Sequence, residues 1–359
     1  MRVGVLGAGQ LGRMLALAGH PLGLGCRFLD HAPDACAGQV APLTVGEFDA
    51  AGVAALAAEC DVLTYDWENV PVEALRATAA RHPVWPPLAA LEVGQDRLTE
   101  KDCFRALDIT TPTYRAVGSR EELADATRAI GFPAVLKTRR LGYDGKGQRL
   151  LRDASELDAA WTALAGAPSI LEGFVRFERE LSLVAVRGRD GGFRAWPLTE
   201  NRHRAGILHS SIAPYPDPAL QARAEDQVRR LMERFGYLGV LAVEYFVSGG
   251  TLIANEFAPR VHNSGHWTIE GATTSQFENH LRAICGLPLG ATAARGHAAM
   301  LNFIGRVPER ARVLAVPGAH LHDYGKAPRP GRKVGHATVV GDDRGQVLAR
   351  LAELEAVLG

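Results

Sequence analysis

The sequence predicts a chain of α/β and α+β domains that opens with a doubly wound parallel sheet. Short apolar segments alternate with helical segments over residues 1–95, as in a parallel sheet with helices on both faces. A second α/β unit with a glycine-rich loop follows over 96–171. Longer strands and an acidic hairpin occupy 172–290, and short strands with a final helix occupy 291–359. We therefore expect mixed or antiparallel sheet in the C-terminal half.

Hydrophobic periodicity and breaker residues place the individual elements. In the first domain we expect strands at residues 3–6, 26–29 and 61–64, and helices at 11–18 and 50–58. In the second domain we expect helices at 97–107, 120–130 and 155–164 and a strand at 134–137. Beyond it we expect strands at 180–187, 193–197 and 240–247 and helices at 219–235 and 345–358.

Bulk composition narrows the classes of ligand. Of 359 residues, 47% are hydrophobic and 22% are charged, as in soluble globular proteins. Forty basic and forty acidic residues cancel, which indicates neither a nucleic-acid nor a membrane-surface partner. The five cysteines lack metal-type spacing, and their odd number argues against a disulfide framework. Without a recognisable signal peptide or an apolar run of membrane-spanning length, a cytoplasmic location is expected.

The acidic hairpin near residue 250 is the most informative segment. Glu244 lies in one predicted strand, and Glu256 ends the next. Burying two acids in an apolar hairpin would be costly without a counter-charge. A hard divalent ion such as Mg²⁺, holding a nucleotide phosphate, would supply that charge. An ordinary hairpin with exposed acids is the alternative.

The length of the hairpin turn decides whether the two acids share a face. A three-residue turn at 248–250 would put Glu244 opposite Ala254 and Glu256 on the same face, about 7–8 Å away on the diagonal. With a turn of two or four residues, the acids would point to opposite faces. Asn255 would join the site only through a local bulge.

The first glycine-rich turn, residues 7–12 (GAGQLG), follows a predicted strand and opens a helix. Its glycines permit a tight turn, and the N–H groups of the helix start can bind a phosphate. Asp30 ends the second strand, where a ribose-binding acid lies in NAD-binding units. A dinucleotide site, a site for another phosphate ligand and a purely structural turn all stay open.

A second glycine-rich segment, residues 142–148 (GYDGKGQ), follows the strand that carries Lys137. Its N–H groups could wrap a polyphosphate, with Lys146 as a point charge. The segment lacks the Gly-Lys-Ser ending of a P-loop, and a solvated turn is the alternative. Lys137, midway along an apolar strand, must either extend to water or meet an anion.

Three further segments are candidate ligand contacts. Residues 171–175 predict an interdomain strand whose exposed backbone edge could contact an adenine, with Glu180 beyond it on a ribose. Residues 65–71 follow the third strand, at the sheet end where open α/β sheets bind ligands, unless Asn69 only caps a helix. Residues 324–336 concentrate four cations between glycine turns, which favours a phosphate or carboxylate partner over a solvated loop.

These pieces, in this order, resemble the ATP-grasp superfamily. Within it, the chain is similar nearly end to end to the 5-(carboxyamino)imidazole ribonucleotide synthase family, the ATPase subunit of phosphoribosylaminoimidazole carboxylase. The matching motifs are GAGQLGRM at 7–14, QDR at 95–97, YDGKGQ at 143–148, the stretch 255–267 and GRKVGH at 331–336. The resemblance implies an ATP-grasp fold with a Rossmann-like domain over 1–95, a lid over 96–171, a metal-binding core over 172–290 and a small β/α subdomain over 291–359.

The resemblance implies an ATP-dependent carbon–nitrogen ligase of de novo purine synthesis. Bicarbonate would attack the γ-phosphate of ATP, giving carboxyphosphate and ADP. Carboxyphosphate, or CO₂ released from it, would then carboxylate the amine of 5-aminoimidazole ribonucleotide. The implied metal is Mg²⁺, or Mn²⁺ in its place, on Glu244 and Glu256, and the implied assembly is a homodimer.

The resemblance also implies the site residues. ATP would be bound by Arg97, Lys137, Gly142, Tyr143, Asp144, Gly145, Lys146, Gly147, Gln148, Glu172, Gly173, Phe174, Val175, Glu180, His203, Asn255 and Glu256. Catalysis would rest on Arg260, His262, Tyr143, Asp144 and Lys146. The ribonucleotide and bicarbonate would be held by Gly9, Gln10, Leu11, Glu68, Asn69, Arg260, His262, Asn263, Lys326, Arg332 and Lys333. Members of the family usually carry glutamate where this chain has Asp66, so no role is transferred to Asp66.

Two alternatives stay open. A related ATP-grasp ligase, such as a formate-dependent glycinamide ribonucleotide transformylase or a biotin carboxylase, would share the ATP half of the site and differ in its acceptor. A non-catalytic nucleotide-binding sensor, or an NAD oxidoreductase, would keep the glycine turn at 7–12 but would need no paired acids.

Overall fold

The structure, a computed structural model, describes residues 1–142 and 145–358. The strands are β1 (Arg2–Leu6), β2 (Gly25–Asp30), β3 (Leu43–Val45), β4 (Val62–Tyr65), β5 (Tyr114–Val117), β6 (Ala134–Thr138), β7 (Gln148–Leu151), β8 (Ser169–Gly173), β9 (Arg179–Arg187), β10 (Phe193–Ala195), β11 (Thr199–Arg204), β12 (Ile207–Ala213), β13 (Gly239–Ser248), β14 (Thr251–Ala258), β15 (His297–Ile304), β16 (Ala319–Asp323) and β17 (Lys333–Gly341). The helices are α1 (Gln10–Gly19), α2 (Ala50–Ala58), α3 (Val72–Ala79), α4 (Leu88–Gly94), α5 (Arg97–Ala106), α6 (Arg120–Ile130), α7 (Leu157–Ala163), α8 (Pro218–Arg234), α9 (Thr268–Gly271), α10 (Gln276–Ile284), α11 (Arg310–Leu314) and α12 (Arg344–Val357).

The N-terminal sheet is parallel, with strand order β3-β2-β1-β4. Alternate residues of β1 enter two different cores. Val3 and Val5 pack with α1 on one face, and Leu6 packs with α2 and α3 on the other. Because both faces are covered, β1 and β4 are almost continuously apolar. The predicted doubly wound sheet is confirmed.

A small antiparallel sheet follows, with strand order β5-β8-β6-β7. The helices α6 and α7 cover one of its faces and enclose a separate hydrophobic core with Leu123, Leu136 and Leu157. The helix α6 begins at its predicted residue because Ser119 accepts a hydrogen bond from the Glu122 N–H.

The third sheet is antiparallel and runs β14-β13-β9-β11-β12-β15-β17-β16, with β10 added to β9. The helices α5 and α8 cover one face at the β14 end, and α10 contributes to the core on the other face. Near the chain end, α12 packs on β15 and β17. The C-terminal antiparallel architecture is confirmed. The expectation of only short strands after residue 290 is wrong, because β15 and β17 span 8 and 9 residues.

Element boundaries mostly agree with the periodicity. The helices predicted at 50–58 and 120–130 occur as α2 and α6 with the same limits. The strand expected at 171–175 lies earlier, at Ser169–Gly173. Within residues 1–142 and 145–358, every helix is too short or too polar to cross a lipid bilayer. The four-domain division of the chain stays a proposal.

Candidate active site

The glycine turn between β1 and α1 is closed by a carboxylate of the protein. The N–H groups of Gly9 and Gly12 donate to Asp66 Oδ2 at 2.7 and 3.0 Å. Burial raises the pKa of Asp66 to about 6, although these two donors oppose the shift. A Cβ on Gly7, whose φ is +90°, would lie 1.9 Å from Asp66 Oδ1, so this position requires glycine. Asp66, to which no role was transferred, therefore shapes the turn.

A second carboxylate, that of Asp30, also binds the backbone at this turn. Asp30 accepts hydrogen bonds from the N–H groups of Ala8 and Ala32, at 2.7 and 2.9 Å. Each oxygen of Asp30 thus accepts one hydrogen bond from the backbone beside the glycine turn. The Gly9 N–H is engaged by Asp66, so a phosphate at this turn would meet Gln10 and Leu11, whose N–H groups lie in the first turn of α1 and have no helical partner.

The two acids of the β13–β14 hairpin face each other directly. The predicted three-residue turn is wrong: Ser248 pairs with Thr251, so the turn is the two residues between them. The strand β14 contains the kind of bulge that Asn255 would need to join the site, because the register shifts by one residue at Asn255. Glu244 consequently pairs with Glu256 instead of with Ala254. The bulge cancels the effect of the shorter turn and returns both acids to one face.

Electrostatics at this pair favour a cation. Burial, followed by the charge of Glu256, raises the pKa of Glu244 to about 7. His262 Nε2 lies 3.4 Å from Glu244 Oε1, and Arg97 Nη2 lies 4.0 Å from Glu256 Oε2. Two facing carboxylates repel each other, and a hard divalent ion between them would relieve that repulsion. The donor set therefore fits Mg²⁺.

A complete protein cage for a metal is not formed by the described residues. Among residues 1–142 and 145–358, no group of three or more His, Cys, Asp or Glu side chains is arranged to hold an ion. A metal on Glu244 and Glu256 would therefore need further oxygen ligands. Mg²⁺ typically takes them from water and from substrate phosphates.

A buried charge network adjoins the acid pair. Lys137 Nζ lies 2.8 Å from Glu172 Oε2 and 3.5 Å from Asn255 Oδ1. Lys101, which sequence reasoning missed, lies 3.6 Å from Glu172 Oε1 and is 1% exposed. Although burial opposes ionisation, Lys101 and then Lys137 lower the pKa of Glu172 to about 2. Lys137 thus meets an anion, as its position in an apolar strand predicted.

Arg97 ties the start of the glycine-rich loop to this network. Its guanidinium donates to the Thr138 and Gly142 carbonyls at 3.0 and 3.2 Å. Gly145 and Gly147 have φ of +75° and +71°, a conformation that disfavours other residues. Tyr143 and Asp144 lie outside the described residues. Lys146 is exposed, and Gln148 begins β7.

The hinge prediction needs a correction. The strand predicted at residues 171–175 was expected to expose a backbone edge, but the observed strand β8 lies between β5 and β6 and is paired on both sides. Phe174 and Val175 lie just beyond its end, and Phe174 is 43% exposed. Any backbone contact to an adenine therefore begins after Gly173.

The Glu180 carboxylate contacts the imidazole ring of His203. Glu180 Oε2 lies 2.8 Å from His203 Nδ1. Although burial opposes protonation, this hydrogen bond raises the pKa of His203. Since both groups also shift the pKa of Glu244, they belong to the same electrostatic cluster.

Arg260 and His262 leave the end of β14 toward the first domain. The Arg260 guanidinium forms an ion pair with Glu68, which lies beyond the carboxyl end of β4. Burial, and then the charge of Arg260, keeps the pKa of His262 well below its usual range. The imidazole is therefore neutral near pH 7. Asn263 is held by amide hydrogen bonds to Asn302 at 2.8 and 3.1 Å.

The C-terminal basic loop contacts the glycine turn. The Lys326 ammonium donates to Gln10 Oε1. The Gln39 amide donates to the Gly325 carbonyl at 3.0 Å and fastens the loop to the first domain. The charge of Lys333, the first residue of β17, lowers the pKa of Glu244 and of His262.

Two further residues were predicted to contact the ribonucleotide or bicarbonate, Arg332 and Asn69. Arg332 donates to the Ala327 carbonyl at 3.4 Å within its own loop. Asn69 does not cap a helix, because α3 begins at Val72 with Pro71 as its N-cap. Neither residue is joined to the acid pair by a hydrogen bond in the part of the chain that the structure describes.

Comparison with known proteins identifies the family. A protein of Pseudomonas aeruginosa named N5-carboxyaminoimidazole ribonucleotide synthase is 54% identical over 359 residues, covering 100% of this chain and 99% of its own. The chain belongs to the N5-carboxyaminoimidazole ribonucleotide synthase family. A relative of the same name from Vibrio cholerae is 41% identical, covering 100% of this chain and 96% of its own. The predicted family is confirmed.

Three domain families match along the chain. The ribonucleotide synthetase preATP-grasp domain matches residues 1–95, and the ATP-grasp domain matches 102–277. The phosphoribosylaminoimidazole carboxylase C-terminal domain matches 298–350. Together with the observed sheets, they confirm the ATP-grasp fold.

Solved structures agree over the whole chain. The N5-carboxyaminoimidazole ribonucleotide synthetase of Thermus thermophilus is 56% identical with a TM-score of 0.95, covering 99% of this chain and 98% of its own. The Aspergillus clavatus N5-carboxyaminoimidazole synthase, in complex with ADP and 5-aminoimidazole ribonucleotide, is 31% identical with a TM-score of 0.93, covering 99% of this chain and 98% of its own. The architecture is thus shared from end to end.

Proposed function

We propose that this protein uses ATP and bicarbonate to carboxylate 5-aminoimidazole ribonucleotide, giving 5-(carboxyamino)imidazole ribonucleotide, ADP and phosphate. The observation that carries the proposal is the pairing of Glu244 with Glu256 between the Lys137 ammonium and the neutral His262 imidazole. Lys137 lies on the side of the glycine-rich loop, and His262 lies on the side of the first domain. One site thus adjoins both a phosphate-binding loop and the predicted ribonucleotide crevice. Membership of the family supports the same reaction.

At the ATP end, the described residues bind and neutralise phosphate. Lys137 and Lys146 offer ammonium groups, and Arg97 orders the start of the loop that would cover the nucleotide. Phe174 and Val175, just beyond β8, would border the adenine, and Glu180 would contact the ribose. Glu244 and Glu256, with Asn255 beside them, would hold Mg²⁺. The ion would supply charge neutralisation between the phosphates.

Bicarbonate would react at the first-domain side of the acid pair. Its oxygen attacks the γ-phosphorus, the bond to the ADP oxygen breaks, and carboxyphosphate forms. Arg260 would hold the anion by bidentate hydrogen bonds, sharing its charge with Glu68. Neutral His262, whose Nδ1 accepts a hydrogen bond from the Ser264 N–H, would donate one from Nε2 without adding charge. Such a reaction is catalysed chiefly by positioning and charge stabilisation.

Carboxyl transfer completes the reaction. The exocyclic amine of the ribonucleotide attacks the carboxyl carbon of carboxyphosphate, or of CO₂ released from it. Phosphate leaves, and the nitrogen loses one proton. Gln10 and Leu11 with Lys326 would bind the 5′-phosphate, and Glu68 would face the imidazole side. Closure of the loop at 142–148 would limit hydrolysis of carboxyphosphate by water.

Phosphate release across a panel of acceptors tests the function. We expect release that requires ATP, Mg²⁺ and 5-aminoimidazole ribonucleotide together. Glycinamide ribonucleotide with formate, and biotin with bicarbonate, should give no stimulation. Release with either of those acceptors, or none with the aminoimidazole nucleotide, would reject the proposal. The homodimer, the cytoplasmic location and the use of Mn²⁺ remain proposals alongside it.

A further inference from the structure

The strand that carries Glu256 lies at the edge of the large sheet, and buried charges of α5 bind its outer side. The strand order places β14 last, beyond β13. The Phe257 N–H donates to Glu100 Oε1 at 2.6 Å, and the Lys101 ammonium donates to the Asn255 carbonyl. These two backbone groups flank Glu256 directly. At the bulge, the α5 side chains thus form hydrogen bonds of the kind that a neighbouring strand would form with the outer edge of β14.

Both α5 side chains are more deeply buried than ionisable side chains usually are. Glu100 and Lys101 are 2% and 1% exposed. Burial raises the pKa of Glu100 to about 8 and lowers the pKa of Lys101. Burying such ionisable groups is costly unless they are hydrogen-bonded or paired. Their partners here are two backbone groups of β14 and the carboxylate of Glu172. Neither side chain is required by the reaction proposed above, so the cost calls for another role.

The bulge is the feature that these contacts hold. Continuing the register of Ser248 with Thr251 without a shift would set Glu244 opposite Asn255. Only the extra residue at the bulge brings Glu256 opposite Glu244. Since Lys101 binds the carbonyl of the bulged residue itself, it acts at the point where the register changes.

We propose that Glu100 and Lys101 are positioning residues that hold the β14 bulge and so keep the two metal-binding acids opposite each other. The inference deepens the proposed function and rests on its assignment of Glu244 and Glu256 as metal ligands. It assigns a role to two residues of α5 that touch neither phosphate nor ribonucleotide in the arrangement above. Lys101 also contacts Glu172, so the same residue joins the bulge to the Lys137 network.

Amide hydrogen exchange and metal dependence test the proposal on the full chain. Glu100→Met and Lys101→Met remove the contacts, whereas Glu100→Gln and Lys101→Arg keep an acceptor and a donor. Asp102→Asn is the matched control, because Asp102 lies on the same helix and bonds Tyr114 instead of β14. Exchange is followed in peptides covering residues 254–258. The Mg²⁺ concentration for half-maximal tightening of ADP binding is measured by calorimetry.

We expect the methionine variants to speed exchange at 254–258 and to raise the Mg²⁺ midpoint, each about ten- to a hundredfold. The conservative variants and Asp102→Asn should stay near wild type. ADP binding without metal should change little. A structural role alone would lower the melting temperature of the methionine variants without moving the Mg²⁺ midpoint, and that result would overturn the proposal.

Two further measurements on the wild type distinguish failure of this proposal from failure of the metal-site assignment. In the wild type, the Phe257 amide should exchange more slowly than amides at the exposed hairpin turn. Equally fast exchange would overturn the proposal that α5 holds the bulge, even if every variant fails to fold. Absence of any Mg²⁺ effect on ADP binding by the wild type would instead reject the assignment of the metal site, while the exchange measurements would still test the bulge.

Discussion

Lys326 donates a hydrogen bond to the Gln10 side chain across a separation of 316 residues. The contact joins the C-terminal basic loop to the first turn of α1. Lys326 is partly buried, and this burial lowers the pKa of its ammonium. A dianionic phosphate bound beside Gln10 would therefore gain a strong charge-assisted contact.

Lys326→Ala and Lys333→Ala should each raise the KM for 5-aminoimidazole ribonucleotide about ten- to a hundredfold, since each removes one charged contact. The KM for ATP should hardly change. Steady-state kinetics with each substrate varied in turn provide the measurement. Arg329→Ala is the control, because Arg329 is an exposed cation of the same loop. A raised KM for ATP, or an unchanged KM for the ribonucleotide in both variants, would misplace the phosphate site.

Glu244→Gln and Glu256→Gln should each lower kcat by about a hundredfold or more, because each removes a charged metal ligand. The fold should persist, since neutral glutamine also relieves the repulsion between the two facing carboxylates. Turnover is measured over a wide range of Mg²⁺, and excess Mg²⁺ should restore part of it. Glu73→Gln, an exposed site on α3, is the control. Normal turnover in either variant would refute a shared metal.

Gly145→Ala and Gly147→Ala should slow catalysis more than they lower stability. Both residues have positive φ, and a Cβ on Gly147 would lie 2.6 Å from Thr138 Oγ1. Alanine would therefore distort the loop and keep its backbone away from phosphate. Gly23→Ala is the matched control, since Gly23 has φ of +68° in open space. The measurements are kcat and the melting temperature of each variant. A sharp loss of stability at an unchanged kcat would show that the loop is only a structural turn.

The stability conferred by Glu172 should depend on pH. Its pKa is lowered from 4.5 in the unfolded chain to about 2 in the folded protein, so its contribution is fully present above pH 4.5 and is lost as pH falls toward 2. The difference in unfolding free energy between wild type and Glu172→Gln should shrink by about 2–3 kcal/mol over that window. Urea denaturation at several pH values measures it. A difference that is constant with pH would contradict the buried ion pairs of Glu172 with Lys101 and Lys137.

Local patterns in the sequence predicted much of the fold and the chemical types of the site. The parallel sheet followed from apolar runs that alternate with helical periods, and α2 and α6 followed from apolar spacing within clear limits. Lys137 and the acids of the hairpin were recognisable because charges inside apolar strands need partners. These inferences used only residues near one another in the chain.

The register of the hairpin shows where sequence reasoning ends. The facing of Glu244 and Glu256 was expected from a three-residue turn, yet it arises from a shorter turn together with a bulge. Either error alone would have turned one acid to the other face. The bulge is held by side chains of α5, and Lys101 lies 154 residues from Asn255. The residue pattern within β14 gives no indication of that contact.

The sequence by itself determined the elements, the family motifs and which charged residues require a partner, because those properties depend on spacing and on the cost of burying charge. Only the tertiary structure decided which partner each charge takes. Asp66 closes the glycine turn, and Asp30, which the motif alone suggested as a ribose contact, accepts hydrogen bonds from the backbone. Such pairings are set by how separate sheets and helices pack, and that packing brings together residues far apart in the chain.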